Sequence, residues 1–196
     1  RAPKWVSQRV IDAFVEKHGS WIKKHQDNAH TKKILPKQFI DGELFMFLGE
    51  YYPVYRQKNV HTSVMLKDGR FILDSAIVEA KKSFEQWYRA EAQKILIQKT
   101  FDLANRYGFT YNAVRITGAR TRWGSCSSKR NINLSWRLIT APSEVIEYVI
   151  IHELVHLLHM NHSPDFWREV ALLCPEYMHH KQWLRHNTRQ IVSLLE

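Results

Sequence analysis

His152-Glu153-Leu154-Val155-His156, led in by Val145-Ile146-Glu147-Tyr148-Val149-Ile150-Ile151 and followed by His162, decides how the rest of the chain is read. Histidines at i and i+4 project from one face of a helix, so two imidazoles can meet one ion. Glu153 lies between them, close enough to hold a water on that ion. A helix this apolar is buried round most of its circumference. Two histidines and a glutamate inside it are costly unless something satisfies them, and a metal does. The bland alternative is a core helix with hydrogen-bonded histidines. Spacing, burial and the third histidine together favour the metal.

His159 and His162 compete to be the third ligand. His152 and His159 are seven residues apart, which is roughly 10 Å along a helix axis. Zinc–nitrogen bonds are only about 2 Å long, so ligands strung that far along one straight helix converge poorly. His162 escapes the difficulty if the helix has ended before it. Asn161 tolerates the left-handed conformation that stops a helix, and Ser163-Pro164 reads as an N-cap followed by proline at the first helical position. The expected set is therefore His152, His156 and His162, with His159 behind them or on the surface. Three protein ligands and an open position make a hydrolytic rather than a structural zinc site. Zinc there lowers the pKa of its water towards about 7, and Glu153 is placed to take that water's proton and pass it to the leaving group.

A second motif, Thr121-Arg122-Trp123-Gly124-Ser125-Cys126-Ser127, lies between Val114-Arg115-Ile116 and Asn131-Ile132-Asn133-Leu134-Ser135-Trp136. The flanks alternate like half-buried strands, and Gly124 with its polar neighbours supplies turn chemistry, so a hairpin is predicted. Such an element offers an edge to which an extended substrate can add. Trp123 and Trp136 read as core. Arg122, and after it Arg120, are candidates for stabilising a developing oxyanion. Cys126 is either a thiol at the site or a small packed side chain.

The run from Arg122-Trp123-Gly124-Ser125-Cys126 through Ala141-Pro142 and His152–His156 to Asn161-His162-Ser163-Pro164-Asp165-Phe166-Trp167 resembles the YgjP-like zinc metallopeptidase family. That family is similar to the SprT and WLM proteases. The resemblance implies a zincin-like fold, zinc ligands at His152, His156 and His162, catalytic Glu153, and a peptide or protein substrate. The histidine spacing also equals that of metzincins, but His159 stands where they carry glycine, which argues against that clan.

The chain of 196 residues, 44% hydrophobic and 12% aromatic, has the material for one core. An α+β architecture is predicted. A helix over about Trp5 to His25, carrying Val6, Val10, Phe14, Trp21 and Ile22, leads it. Strands follow over Phe39–Tyr55 and Val64–Leu73, with Asp41-Gly42 and Asp68-Gly69 as hairpin turns. A long helix from Val78 to Tyr107 ends at Gly108. The hairpin, the HExxH helix, and helices from Pro164 to about Cys174 and Tyr177 to Leu195 complete it. A soft boundary at Asp74-Ser75 divides a helix-and-ribbon portion (1–75) from a zincin-like hydrolase core (76–196), unless the two form one continuous domain. Two distant cysteines, no apolar run of transmembrane length and no signal-peptide pattern predict a cytoplasmic protein.

Lys+Arg outnumber Asp+Glu by 29 to 19. No acid occurs over residues 103–143, where Arg106, Arg115, Arg120, Arg122, Lys129, Arg130 and Arg137 do. Basic surfaces attract nucleotides and nucleic acid, but also serve solubility alone. Three functions are therefore compatible with the sequence: peptide hydrolysis, hydrolysis of a nucleoside triphosphate to release pyrophosphate, and a zinc-stabilised nucleic-acid-binding module. Glu153 weighs against the last, since a structural site needs no general base. His179, His180 and His186 read as surface residues.

Overall fold

The computed structural model describes residues 5–19, 36–58 and 60–195. It divides into two compact units, Arg1–Leu35 and Pro36–Glu196. In the first, α1 (Gln8–Lys17) begins after Ser7 and buries no residue. It is shorter than the predicted helix: Trp5 and Val6 precede it, while Trp21 and Ile22 lie outside the described residues.

The second unit is mixed α+β, as the sequence predicts. Its first sheet has the order β1-β2-β4-β3, built from β1 (Leu44–Phe47), β2 (Glu50–Gln57), β3 (Val64–Lys67) and β4 (Arg70–Asp74). Two antiparallel hairpins lie side by side, joined by parallel pairing of β2 with β4. Asp68-Gly69 makes the second hairpin turn with both residues at positive φ, as predicted. The first reverses at Leu48-Gly49, not at Asp41-Gly42. Leucine is held at φ 50° there because the Leu48 and Gly49 amides donate to the carbonyls of Ile139 and Thr140. Asp41 instead closes a turn before β1, where its Oδ1 accepts from the Arg56 amide at 2.7 Å.

Next, α2 (Ala80–Tyr107) runs for 28 residues to Gly108, whose φ of 72° gives the expected left-handed stop. Its inward face presents Phe84, Tyr88, Ala92 and Leu96 at helical spacing, all buried. Phe84 stacks on Phe45 at 4.5 Å and Tyr88 on Trp136 at 5.9 Å. A single buried cluster thus joins the first sheet, α2 and the elements that follow.

The second sheet, β5-β7-β6, corrects the predicted hairpin. β5 (Ala113–Thr117) and β7 (Asn131–Ser135) are parallel neighbours. Residues 118–130 are enough chain for the crossover that parallel pairing requires. Within them the Trp-Gly-Ser-Cys motif supplies β6 (Gly124–Cys126), antiparallel to β7 and at the sheet edge. A short 3₁₀ turn (Trp136–Thr140) leads to α3 (Ser143–Val155), then α4 (Pro164–Leu173) and α5 (Tyr177–Val192). Trp136 is buried, as predicted, and lies under the Arg137 guanidinium at 4.4 Å.

Candidate functional site

The apolar run of α3 does what its composition predicts: nine of its residues are buried, Glu153 among them. The helix ends at Val155, one residue before the motif is complete, and His156 is its C-cap. Leu157 and Leu158 then make tighter turn bonds to Leu154 and Val155, which bends the chain away. α4 begins at the predicted cap: the Phe166 amide donates to Ser163 Oγ, with Pro164 in the first turn. His162 sits in the corner so formed.

That corner brings His152, His156 and His162 together, each with one ring nitrogen within 4.8 Å of the others. His162 Nε2 lies 3.0 Å from His152 Nε2. Four-coordinate nitrogen ligands at zinc distances stand roughly 3.4 Å apart, so this spacing suits a shared cation. His156 Nδ1 donates to the His159 carbonyl at 3.0 Å, which fixes its tautomer and leaves Nε2 as an electron-pair donor. His159 therefore contributes its backbone, and its ring is outside the cluster. His152 Nδ1 and Glu153 Oε2 are buried with no hydrogen-bond partner among the described residues. An orphaned carboxylate oxygen on Glu153 beside three convergent imidazoles fits a metal centre with a bound water.

Phe166 wedges against all three imidazoles, with centroids at 4.9, 4.6 and 4.7 Å from His152, His156 and His162. Trp167 stacks on His162 at 5.6 Å. Burial pushes the His152 imidazolium down to about 3, helped by the charges of its histidine neighbours and of Lys181. An imidazole kept neutral keeps the lone pair a metal needs. Burial pushes the Glu153 carboxyl up to about 8, with Arg122 opposing.

Glu153 lies against Gly124 of β6. A Cβ at that glycine would sit 2.5 Å from Glu153 Oε1 and 2.6 Å from its Cγ, so only glycine lets the carboxylate pass. The second motif thus serves the first. Arg122 is exposed, yet near enough for its charge to act on Glu153. The charge of Arg120 is felt by Arg137. Burial and the Glu153 charge raise the Cys126 thiol, with Arg130 opposing, so it remains protonated rather than a reactive thiolate. Within the basic stretch, Arg130 donates to the Thr110 carbonyl at 3.0 Å and Arg137 to that of Gly118 at 3.1 Å. Both guanidinium groups are thus tied to the backbone of their own sheet region while keeping their charge.

A cavity of about 320 Å³ opens beside His152 and Glu153, walled by Trp123, Gly124, Tyr148 and one face of α5. Trp123, read from sequence as core filling, is half-buried and forms part of that wall. Tyr148 was legible as a neighbour of His152, one helical turn earlier. The approach of α5 carried no sequence signal, because it is a tertiary contact. His179 pairs with Glu176 at 2.6 Å on the surface and His186 is exposed, as predicted. His180 is half-buried against Tyr148 at 6.2 Å. No helix among the described residues is long and apolar enough to cross a membrane.

No curated protein matches the chain. Among solved structures it is similar to the metallopeptidase zymogen of Pyrococcus abyssi abylysin, at 26% identity over 48% of this chain and 94% of that chain, with a TM-score of 0.42. Overlap that loose leaves the fold to be judged on its own elements. The pattern that defines the YgjP-like, metallopeptidase domain family extends over residues 1–187, which include both motifs. This chain belongs to the YgjP-like metallopeptidase family and is a metal-dependent hydrolase.

Proposed function

We propose that the chain cleaves peptide bonds with a zinc ion held by His152, His156 and His162, and with Glu153 as the proton-transfer group. The observation that carries this reading is the convergence of three imidazole nitrogens beside a buried carboxylate with no partner. Imidazole donors suit zinc among the divalent ions, although they also accept nickel, cobalt or copper. When bound, such an ion supplies a Lewis acid and makes water acidic near neutral pH.

The side chains have separate tasks. His156 is held in the ligand tautomer by the His159 carbonyl, and Phe166 fixes the three ring planes. Glu153 takes a proton from the attacking water and delivers it to the leaving amine. Gly124 gives the carboxylate its passage. Among the described residues the edge of β6 has no strand partner on one side, which suits main-chain pairing with an extended peptide. Arg122, rather than Arg120, is the candidate for the charge that develops on the substrate. Unpaired Cys126 and Cys174 support a reducing compartment such as the cytoplasm.

The test is a substrate panel given to protein purified without added metal and then loaded with zinc: denatured casein, nucleoside triphosphates, and duplex DNA. Casein cleavage that stops on chelation and returns with zinc is expected. Pyrophosphate release at catalytic rates without proteolysis would overturn the peptidase reading. DNA binding alone, weakened steeply by salt, would mark a binding module instead.

A further inference from the structure

The cavity beside His152 has a wall that peptide hydrolysis as such does not require. Lys181, Leu184, Arg185 and Thr188 stand at i, i+3, i+4 and i+7, so one face of α5 turns towards it. Leu184 is buried, and Thr188 spends its hydroxyl proton on the Leu184 carbonyl at 2.5 Å. Lys181 and Arg185 are what this wall offers a ligand. Neither is ion-paired to a carboxylate among the described residues. Lys181 Nζ is anchored 4.2 Å from the Trp167 ring, which itself stacks on His162. Lys181 and Arg185 are exposed, so both charges stand at the rim of the cavity, that of Lys181 on the side of the triad. Glu153 is the one acid of the lining, and it is packed against the Gly124 backbone.

From this we infer that the cavity receives the substrate residue next to the scissile bond, and that Lys181 and Arg185 select a carboxylate on it. The inference rests on the peptidase reading and names the substrate class of the same site. Its volume, about 320 Å³, is at the lower end of ligand pockets and suits one side chain rather than a long ligand. Trp123 and Tyr148 supply apolar walls for the stem of that side chain. Two cations beyond the stem complement a carboxylate and reject a lysine or arginine, since like charges at a partly enclosed site repel. The arginine fork also matches a carboxylate with two parallel hydrogen bonds. The carboxylate comes from a glutamate or aspartate side chain or from the substrate's C-terminus.

The experiment uses the full zinc-loaded chain and blocked peptides that differ only in Glu, Gln or Lys beside the scissile bond, with a matched peptide ending in a free acid or an amide there. Wild-type protein is expected to favour Glu over Gln by about tenfold in kcat/KM. In Lys181→Met/Arg185→Met the ratio should fall towards one, and in Lys181→Glu/Arg185→Glu it should invert in favour of Lys. A ratio is insensitive to how much of a variant folds. Preference for the free acid over the amide would identify the terminal carboxylate as the source. Absence of any acid preference in wild type, or its survival after charge reversal, would overturn the inference while leaving the peptidase reading intact. Fluorescence anisotropy of the labelled peptides on Glu153→Gln protein separates the two readings. Tighter binding of the Glu peptide that depends on Lys181 and Arg185, with no cleavage by wild type, would keep the carboxylate pocket and sink the peptidase.

Discussion

Glu153 is buried, unpartnered, and pressed against a glycine, so substitutions at this contact separate metal binding from turnover. Glu153→Gln preserves the three imidazoles and is expected to retain zinc, while turnover falls by about 10²- to 10⁴-fold. His156→Ala removes an imidazole donor and should lose both, read by elemental analysis beside a casein assay. A Glu153→Gln enzyme as active as wild type would remove Glu153 from the chemistry. Gly124→Ala forces the carboxylate aside and is expected to lower activity by about 10²-fold with zinc content unchanged. Chelator-stripped protein adds a pH signature. The Glu153 carboxyl is raised from its ordinary 4.5 to about 8. Above pH 4.5 the folded state therefore holds a proton that the unfolded state has released, so stability falls as pH rises towards 8. His152, lowered from 6.5 to about 3, gives the opposite slope, but only below 6.5. His162, also lowered by burial, adds to the His152 slope, so the Glu153 slope is clearest nearer pH 8, and urea titrations of Glu153→Gln should show it abolished there. The histidines and Glu153 were legible because i, i+4 spacing on an apolar helix is local information. Gly124's task was not, because it depends on a side chain twenty-nine residues away in sequence.

Helix ends were legible where a local cap sets them and obscure where a tertiary bond does. Gly108 stops α2 and Ser163-Pro164 starts α4, both through the conformation of one or two residues. The Leu48-Gly49 turn hid itself, since leucine at positive φ is sustained by bonds to Ile139 and Thr140, far along the chain. The parallel pairing of β5 with β7 hid for a similar reason: alternation reveals a strand but not its partner. The Ser163 cap links element to site, because His162 is its immediate neighbour and has no helix of its own to hold it. Ser163→Ala is expected to cost about 1 kcal/mol of stability. Zinc affinity should fall with it, since a freer corner must be ordered on binding. Denaturant midpoints and competition with a zinc chelator measure the two effects. A cap variant with lost stability but unaltered zinc affinity would mean that Phe166 alone orients His162.

Across the unit Pro36–Glu196, the histidine-bearing helix α3 shares its core with the first sheet. Phe45 and Phe71 meet Phe84, Tyr88 stacks on Trp136, and the Tyr88 hydroxyl donates to the Met46 carbonyl at 2.9 Å. Gly49 reaches further, for a Cβ there would meet Pro142 Cα at 2.9 Å, immediately before α3. The first sheet therefore buttresses the segment that launches the histidine-bearing helix. Sequence periodicity exposed each amphipathic face but not which faces share one interior, because that choice is made only when the elements meet. The expected consequence is cooperativity: with one continuous apolar cluster, the sheet and α3 should melt together. Phe84→Ala empties the centre of this cluster and is expected to cost about 3–5 kcal/mol. Tryptophan fluorescence and far-ultraviolet circular dichroism should nevertheless follow one coincident urea transition, in the variant as in wild type. Two separated transitions, with the sheet lost first and zinc still bound, would show that residues beyond 75 fold without the ribbon before them. The buttress would then be a contact between two stable bodies rather than part of what holds the triad in place.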